Sequence, residues 1–217
     1  DVNRSFPGHL NGSLASRVAR ILTKKILPQA DVAIDFHTGG SARYNYPQIR
    51  YSKKDPVAAQ MAFNTNLRYL IEQPLIKSSF RRAASDMKVP AIVYEGGESI
   101  RLDRLSIESG IETIKSQLSA LGMADGFNVT PPAEQWIIHK TSWIRASVPG
   151  LFIWSKKAGE MVSKGEKLGE IKEAFGTKST DIIAKIDGHI ICHNNASVVS
   201  LGDALFHIGD EYSKVRG

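Results

Sequence analysis

The residues best suited to chemistry stand where two apolar runs of the sequence end. His37 closes the run that begins at Asp31, Glu95 closes the run that begins at Ala91, and a pair of glycines follows closely after each. A histidine can bind a metal or move a proton, and a glutamate can take a proton from water. Because glycine lets the chain turn sharply, both side chains can lie at the mouth of a cleft. The two positions are therefore candidates for a hydrolytic site.

Three further residues could assist such a site. Asp35 stands two positions before His37, so on a strand the two side chains point to the same side, and the carboxylate could orient the imidazole of a metal ligand. Asn3 and Arg4 combine an amide with a guanidinium fork, which suits the capture of a substrate carboxylate. Each residue also has a plainer interpretation by itself: His37 as a hydrogen-bonded loop residue, and Glu95 as a capping or loop carboxylate.

Two choices stay open among neighbouring charges. Glu98 competes with Glu95 for the role of general base, and sequence position alone does not separate them. Arg81 and Arg82 precede the strand of Glu95, and either could supply a cation. We favour Arg82 as a substrate-binding residue, with a solvated helix charge as the alternative for at least one of the two.

The elements that must position these residues alternate between helix and strand up to about residue 128. The spacing of apolar residues predicts helices over 13–27, 55–72, 80–87 and 104–121, and strands over 31–36 and 91–94. The first helix places Leu14, Val18 and Ile21 on one face, and the last one does the same with Ile107 and Ile111. This alternation predicts an α/β layer.

The sequence pattern changes at residues 130–132. After them the chain consists of short apolar segments that are separated by glycines and lack helical spacing. We predict a second, all-β domain there. It contains an internal repeat, because residues 146–171 and 184–208 match at Ala-x-x-x-Gly-x-x-Ile and at Val-Ser-x-Gly-acid-x-Leu-x-x-Ile. Neither unit could bury its apolar side alone, so the two should pack together. A duplicated small barrel-sandwich of this kind resembles lipoyl and biotinyl domains.

Composition excludes several other classes of protein. The net charge of +6 comes from scattered Lys and Arg residues and short pairs, which we interpret as solvated faces, so we predict no nucleic-acid partner. No apolar run reaches the roughly 20 residues that cross a bilayer, and the first residues do not resemble a signal peptide, so we predict no membrane partner and a cytoplasmic location. Cys192 is the single cysteine, in an apolar run, which makes a thiol mechanism unattractive.

Three segments, taken together and in order, resemble the succinylglutamate desuccinylase/aspartoacylase family, which is related to the zinc carboxypeptidases. They are residues 1–8 (Asp-Val-Asn-Arg-Ser-Phe-Pro-Gly), 35–39 (Asp-Phe-His-Thr-Gly) and 95–97 (Glu-Gly-Gly). The resemblance implies a zinc-carboxypeptidase-like α/β/α sheet domain, incomplete at its N-terminus, over residues 1–130. A small all-β barrel-sandwich domain over residues 131–217 follows, as in other family members.

The resemblance also implies roles for the candidate residues. His37 would be the third zinc ligand, Glu95 the general base or acid, and Asn3 with Arg4 the grip on the substrate's carboxylate. The family's first two zinc ligands belong to a His-Gly-x-Glu-type motif, which we expect upstream of Asp1 because this sequence does not contain it. We therefore predict that this chain alone binds zinc poorly and is inactive. In the complete protein we expect one zinc per subunit and cleavage of the amide bond of a small N-acyl amino acid.

Two alternatives remain. A metallocarboxypeptidase acting on peptides would use the same residue types. A carrier or binding module would use the lipoyl-like region, with Lys178 as the position of a modified lysine, although Thr177-Lys178-Ser179 matches the motif of neither biotinyl nor lipoyl domains. The sequence also leaves open whether the protein is a homo-oligomer and which acyl group it accepts.

Overall fold

The computed structural model describes residues 1–127, 130 and 132–216. Within them the α-helices are α1 (Leu14–Ile21), α2 (Pro56–Phe63), α3 (Phe80–Asp86) and α4 (Arg104–Ala120). A turn of π-helix at Leu22–Ile26 extends α1, and 3-10 turns cover Val2–Arg4 and Leu27–Gln29. None of the described helices is long and apolar enough to cross a membrane.

The strands form two sheets. Their bounds are β1 (Ala33–Gly39), β2 (Arg43–Tyr51), β3 (Tyr69–Glu72), β4 (Ala91–Glu98), β5 (Gln135–Arg145), β6 (Gly150–Trp154), β7 (Met161–Val162), β8 (Lys167–Lys172), β9 (Ser179–Ile183), β10 (Gly188–Asn194), β11 (Val198–Val199) and β12 (Ala204–Arg216). The larger sheet has the order β1-β4-β2-β3-β5-β12-β10-β7, and β10 also pairs with β2. The smaller sheet has the order β11-β6-β8-β9.

Every described α-helix begins at a residue whose side chain accepts a hydrogen bond from a backbone N–H of the first turn. These residues are Ser13, Asp55, Ser79 and Asp103. Such caps satisfy donors that have no partner inside the helix, so they fix where each helix starts. The predicted helices at 13–27, 80–87 and 104–121 are confirmed, the first as α1 with its short extensions.

The predicted helix over 55–72 is wrong in its second half. Helix α2 ends at Phe63, and Tyr69–Glu72 forms β3, parallel to both β2 and β5. Leu70 and Ile71 are buried between these two neighbours, so their apolar character reflects burial in the sheet. A short apolar run that is buried on all sides looks the same in a strand as in a helix, and helical spacing alone cannot tell them apart.

Strands β1 and β4 bring the two main candidate residues to one end of the sheet. They are parallel neighbours, and the register pairs His37 with Glu95. Strand β4 is buried along its whole length, whereas β1 lies at the edge of the sheet. An apolar core that includes Ile49 and Ile92 supports this part of the sheet together with α2. The packed core therefore supports the ends of β1 and β4 that carry His37 and Glu95.

The C-terminal strands contribute to both sheets: four of them form the smaller sheet, and β5, β12, β10 and β7 belong to the larger one. Strand β5 continues the larger sheet from β3, and β10 pairs antiparallel with β2, where Cys192 stands opposite Asn45. The described residues after 132 contain strands and turns and no helix, as predicted. The predicted domain boundary between residues 130 and 131 adjoins positions 128, 129 and 131, which lie outside the described residues. The division into two domains stays a prediction.

The two units of the internal repeat pair with each other, and the pairings are related by an approximate two-fold symmetry. Val162 of the first unit pairs with Gly188 of the second, and Val199 of the second pairs with Gly150 of the first. Turn contacts repeat the relation, because the N–H groups of Gly202 and Gly165 donate to the carbonyls of Ala146 and Ala184, each at 2.8 Å. Both units share one core, which includes Leu168 and Leu205, so each unit buries the apolar side of the other.

Candidate active site

Five of the six predicted site residues line one cavity of about 80 Å³ at the ends of β1 and β4. They are Asn3, Arg4, Asp35, His37 and Glu95. Residues that are up to 92 positions apart in sequence thus meet at one place, because the carboxyl ends of parallel strands share one edge of the sheet. The cavity is small and partly open to solvent.

His37 is held between two carboxylates. Its Nε2 atom lies 2.9 Å from Asp35 Oδ2, and its Nδ1 atom lies 4.0 Å from Glu95 Oε1. The hydrogen bond to Asp35 raises the pKa of His37, burial opposes this shift, and the charges of Asp35 and Glu95 add to it. The amide Nδ2 of Asn3 lies 3.5 Å from the same Nε2 atom. Asp35 and His37 point to the same side of β1.

Glu95 is fixed by two side chains of β2. Asn45 Nδ2 donates a 2.7 Å hydrogen bond to Oε2, and Arg50 Nε lies 3.4 Å from Oε1. Arg50 also lines the cavity. Neither Asn45 nor Arg50 was predicted from the sequence. The only available signal was the occurrence of polar residues in a strand whose other positions are mostly buried, and that signal does not indicate which residue they contact.

The structure separates Glu95 from its competitor. Glu98 does not line the cavity; its side chain pairs with Arg101, and Asn195 Nδ2 donates to its Oε2 atom at 2.9 Å. The hydrogen bond from Arg101 lowers the pKa of Glu98, with burial opposing it and Asn195 assisting. Glu98 therefore joins the loop after β4 to the C-terminal strands, while Glu95 faces the cavity.

Asn3 and Arg4 lie on the 3-10 turn that precedes α1. Asn3 Oδ1 accepts a 2.7 Å hydrogen bond from the backbone N–H of Phe80 at the start of α3. This bond ties the turn to α3 and leaves Asn3 Nδ2 directed toward His37. The guanidinium of Arg4 donates to the backbone carbonyl of Asn3 and is exposed on the outer side of the cavity.

Asp1 caps the same turn and does not join the site. Its side chain accepts a 2.9 Å hydrogen bond from the backbone N–H of Asn3, and the residue is exposed and does not line the cavity. The first carboxylate of the sequence is therefore a capping group and not a further ligand beside His37. The prediction that the other zinc ligands lie upstream of Asp1 concerns residues outside this sequence, and it stays a prediction.

Arg82 is not at the site, which corrects the prediction for this residue. Its side chain is half exposed, and its Nε atom lies 2.9 Å from Asp86 Oδ1 one helical turn later. Arg81 takes the place in the cavity instead and is 5% exposed. Its guanidinium donates to three neutral oxygens, those of the Gln73 side chain, the Gln73 carbonyl and the Pro74 carbonyl, at 3.2–3.4 Å. Burial lowers the pKa of Arg81 to about 10.

The described residues do not fit a complete zinc centre. Catalytic zinc takes three protein ligands and a water. Within the part of the chain that the structure describes, no group of three His, Cys, Asp or Glu side chains is arranged to hold a metal ion. His37 is one suitable ligand, but Asp35 is hydrogen-bonded to its ring and Glu95 is bound by Asn45. The site as described can supply one ligand, a base and several cations.

A parallel strand pair that ends in a histidine and a glutamate, with arginines around a small cavity, defines an α/β protein with a hydrolase-type site. The model of the succinylglutamate desuccinylase/aspartoacylase catalytic domain matches residues 1–121. The match covers more than half of the chain, so the chain belongs to this family. The family resemblance noted in the sequence is therefore confirmed.

Individual relatives agree with this assignment. The N-alpha-acetyl-L-2,4-diaminobutyric acid deacetylase of Halomonas elongata is 22% identical over 225 residues, which cover 97% of this chain and 65% of the relative. A succinylglutamate desuccinylase/aspartoacylase structure from Rhodobacter sphaeroides superposes with a TM-score of 0.86 at 22% identity, covering 98% and 68%. The ectoine utilization protein EutE (DoeB) of Ruegeria pomeroyi gives a TM-score of 0.84 at 21% identity, covering 97% and 70%. The chain thus spans about two thirds of the length of these relatives.

Proposed function

We propose that this chain is part of a cytoplasmic amidohydrolase that cleaves the amide bond of a small N-acyl amino acid. The observation that carries the proposal is the convergence of His37, Glu95 and three arginines on one cavity of about 80 Å³. Membership of a family that includes a deacetylase of an acylated amino acid supports amide hydrolysis as the reaction type. The arginines favour a substrate that carries a carboxylate.

Glu95 is proposed to be the general base. Its Oε2 atom accepts the short hydrogen bond from Asn45, and Oε1, which lies 3.4 Å from Arg50 Nε and 4.0 Å from His37 Nδ1, is the atom proposed to accept a proton from the attacking water. The same atom can return that proton to the leaving amine, which completes the hydrolysis to an amino acid and a carboxylic acid. Asn45 and Arg50 hold the carboxylate in one orientation, and this positioning lowers the entropic cost of the proton transfer.

Arg81, Arg4 and Asn3 are proposed to bind the substrate's carboxylate. The buried charge of Arg81 meets neutral oxygens where an opposite charge would be expected, because a buried charge is costly unless it is paired. A substrate carboxylate in the cavity would supply that charge. Asn3 and Arg4 line the same cavity, and their side-chain N–H groups can donate to the same group or to a second one.

Zinc is proposed as the cofactor of the complete protein, with His37 as one of its ligands. When bound, a zinc ion would polarise the scissile carbonyl and acidify a bound water. The remaining ligands are proposed to come from residues upstream of Asp1, since the described residues do not complete a site. We therefore keep the prediction that this 217-residue chain alone binds zinc weakly and does not turn over substrate.

A small substrate is favoured over a peptide. A cavity of about 80 Å³ holds only a few non-hydrogen atoms, whereas sites for drug-sized ligands usually measure roughly 300–1,000 Å³. A metallocarboxypeptidase that grips a large peptide side chain would need more room on this side of His37. The cavity size therefore favours the deacylase among the two hydrolase hypotheses.

The test is to replace Glu95 and its competitor separately in the protein produced from its complete reading frame. We expect Glu95→Gln to lower kcat by roughly 10³-fold on N-acetyl and N-succinyl amino acids without changing the zinc content, because a glutamine cannot accept the proton. Glu98→Gln is the matched control and should keep kcat within a few-fold. Near-normal kcat in Glu95→Gln would remove Glu95 from the mechanism, and no activity on any N-acyl amino acid would refute the proposed reaction.

A further inference from the structure

Helix α3 borders a second hollow on its Arg82 side, outside the active-site cavity. This hollow measures about 700 Å³ and lies between residues 6–7, residues 23–24 of the π-helical turn and α3 itself. We call it the α3 hollow. Its volume falls in the range of roughly 300–1,000 Å³ that is usual for small-molecule sites, whereas the active-site cavity measures about 80 Å³. The α3 hollow can therefore hold a molecule that the active-site cavity cannot.

Apolar residues form much of the wall of the α3 hollow. Phe6 and Ala83 are almost fully buried, Leu75 is half-buried, and Met87 is 36% exposed. The ring of Phe6 packs edge-to-face on Phe80 at a centroid distance of 5.5 Å, which keeps it in place. Such a wall favours a ligand with an apolar body, because their contact removes apolar surface of both partners from water.

The charged part of the wall is mainly cationic. Lys24, Lys77 and Arg82 line the hollow, with Asp86 as the acidic residue beside them. Arg82 Nε lies 2.9 Å from Asp86 Oδ1, so these two charges compensate each other. Within the described part of the chain, no carboxylate lies within 4.0 Å of the ammonium group of Lys24 or of Lys77. The hollow therefore carries two positive charges that the described carboxylates do not pair.

The chain segments around the hollow are basic as well. Residues 13–30 contain four Lys or Arg and no Asp or Glu, and residues 74–89 contain four Lys or Arg and one Asp. Because charges of one sign around a concave surface add their potentials, this side of the molecule attracts anions before they make contact. The expected ligand of the α3 hollow is therefore an anion.

The type of cation indicates the charged group of that ligand. Lysine carries a compact ammonium on a flexible stem and binds phosphate as a point charge, whereas arginine is the residue of bidentate carboxylate recognition. The two cations without a described carboxylate partner are lysines, and a phosphate monoester carries close to two negative charges at neutral pH. We propose that the α3 hollow binds a phosphate monoester with an apolar body. Lys24 and Lys77 hold the phosphate group, and the apolar body lies against Phe6 and Met87.

The walls of the α3 hollow belong to the same two segments that line the active-site cavity. Asn3 precedes Phe6 by three positions, and Ser79 lines both the cavity and the hollow. Two hydrogen bonds already join these segments: Phe80 N–H donates to Asn3 Oδ1 at 2.7 Å, and Phe6 N–H donates to the carbonyl of Ser78 at 3.2 Å. A ligand that touches both walls adds contacts between them, so it should stabilise the arrangement that binds substrate. This coupling claim rests on the proposed function, whereas the binding claim does not.

The first experiment titrates phenyl phosphate into the protein produced from its complete reading frame and measures the heat of binding. We expect 1:1 binding with a Kd below about 1 mM at low ionic strength. Inorganic phosphate lacks the apolar body and phenol lacks the charge, so each should bind at least about 10-fold more weakly. The absence of phenyl phosphate binding, or equal affinity for phenyl phosphate and inorganic phosphate, would overturn the proposal.

Matched pairs of lysine variants locate the site. Lys24→Gln/Lys77→Gln should weaken the binding of phenyl phosphate by at least about 10-fold, because two charge-assisted hydrogen bonds are lost. Both lysines are exposed, so the fold should be retained, which circular dichroism checks. Lys25→Gln/Lys88→Gln lowers the net charge equally outside the hollow and should leave the affinity within about two-fold. Equal losses would mean that the anion responds only to net charge, which contradicts a site.

A variant of the active-site cavity excludes binding at the wrong place. Arg81 lines the active-site cavity and not the hollow, so Arg81→Gln should leave the affinity for phenyl phosphate within about two-fold. If Arg81→Gln weakens the binding more than Lys24→Gln/Lys77→Gln does, phenyl phosphate occupies the active-site cavity and the proposal is wrong.

Steady-state kinetics test the coupling claim. With the N-acyl amino acid that the protein hydrolyses fastest, saturating phenyl phosphate should lower the KM by about five-fold and leave kcat within about two-fold. Lys24→Gln/Lys77→Gln should not show this change. An unchanged KM would refute the coupling and leave the binding site supported. If phenyl phosphate binds in the hollow but no N-acyl amino acid is hydrolysed, the proposed function fails and the site stands.

Discussion

The two halves of the molecule bury their apolar surface in different ways. In the C-terminal strands each repeat closes the other, with Val162 opposite Gly188 and Val199 opposite Gly150, and the shared core is almost fully buried. In the N-terminal α/β half, helices α1 and α4 and strand β1 leave their apolar rows exposed at one border. In the repeat, each unit covers the apolar side of the other. The α/β layer has no second copy of itself, and its apolar residues at the β1 border stay exposed in the described structure.

The two halves of the molecule also cooperate at the site. The catalytic candidates belong to the open half, but the strand that clamps Glu95 is joined to the closed half. Strand β10 pairs with β2 at Asn45, the residue that donates to Glu95. The C-terminal strands thus stabilise one wall of the site through the pairing of β10 with β2.

The largest expected effect comes from crowding β10 against β12 in the C-terminal half. A Cβ atom at Gly188 would stand 2.4 Å from the carbonyl oxygen of Gly209 and 2.6 Å from Ile208 Cγ2, so Gly188→Val should destabilise the protein by on the order of 5 kcal/mol. Urea denaturation measures this loss. Gly165→Ala is the control, because its Cβ would meet open space and only its positive φ of 89° costs energy, about 1 kcal/mol. Equal losses in the two variants would show that the close packing of β10 on β12 at Gly188 does not matter for stability.

The second-largest effect is expected from acid, which should lower the stability of the closed, C-terminal half. Burial lowers the pKa of His189 and His193 to about 4 and that of His207 to about 3. The unfolded chain therefore binds more protons below pH 6.5, and the free energy of unfolding should fall as the pH drops from 7.5 to 5, by on the order of 3 kcal/mol. His37 in the open half has the opposite sign, since its raised pKa adds stability that is present below pH 6.5 and lost as the pH rises through its folded value.

Urea midpoints at pH 7.5 and 5 measure this difference. His207→Phe should remove part of the pH dependence, because phenylalanine keeps the stacking on Trp143, whose ring lies 4.0 Å away, and cannot bind a proton. His37→Gln should instead make the loss of stability at pH 5 larger, because it removes the opposing group. A free energy of unfolding that is the same at both pH values would contradict buried neutral histidines in the closed half.

Much of this arrangement could be predicted from the sequence, and the failures have physical reasons. The strand ends that carry His37 and Glu95 follow from apolar runs that stop at glycine, and the repeat follows from direct comparison of its two units. The environment of Glu95 could not be predicted, because a polar residue such as Asn45 in a strand does not reveal which neighbouring strand it faces. The apolar spacing correctly predicts α1 and α4 as helices, but the rows it defines stay largely exposed, which the spacing does not indicate.

The choice between Arg81 and Arg82 failed for a related reason. The two residues are adjacent, so they point about 100° apart around α3, and only the position of the helix on the sheet decides which one is buried. The neighbours Ala83 and Ala84 are also buried, which turns Arg81 toward the cavity and Arg82 toward solvent. To predict which of the two arginines is buried, the exact first residue of α3 must be known. The structure places the helix start at Ser79, whereas the sequence defines it only to within a few residues.

The smallest expected effect tests the two faces of α3 within the open half. Arg81→Gln should weaken the binding of N-acetyl-L-glutamate to the complete protein by about 10- to 100-fold, because a charge-assisted hydrogen bond to a carboxylate contributes roughly 1.5–3 kcal/mol. Titration calorimetry measures this, with circular dichroism to show that the fold is retained. Arg82→Gln removes only an exposed ion pair with Asp86 and should change the affinity by less than about two-fold. If Arg82→Gln has the larger effect, the substrate lies outside the cavity, on the solvent side of α3, and Arg81 is a structural residue that holds Gln73 and Pro74.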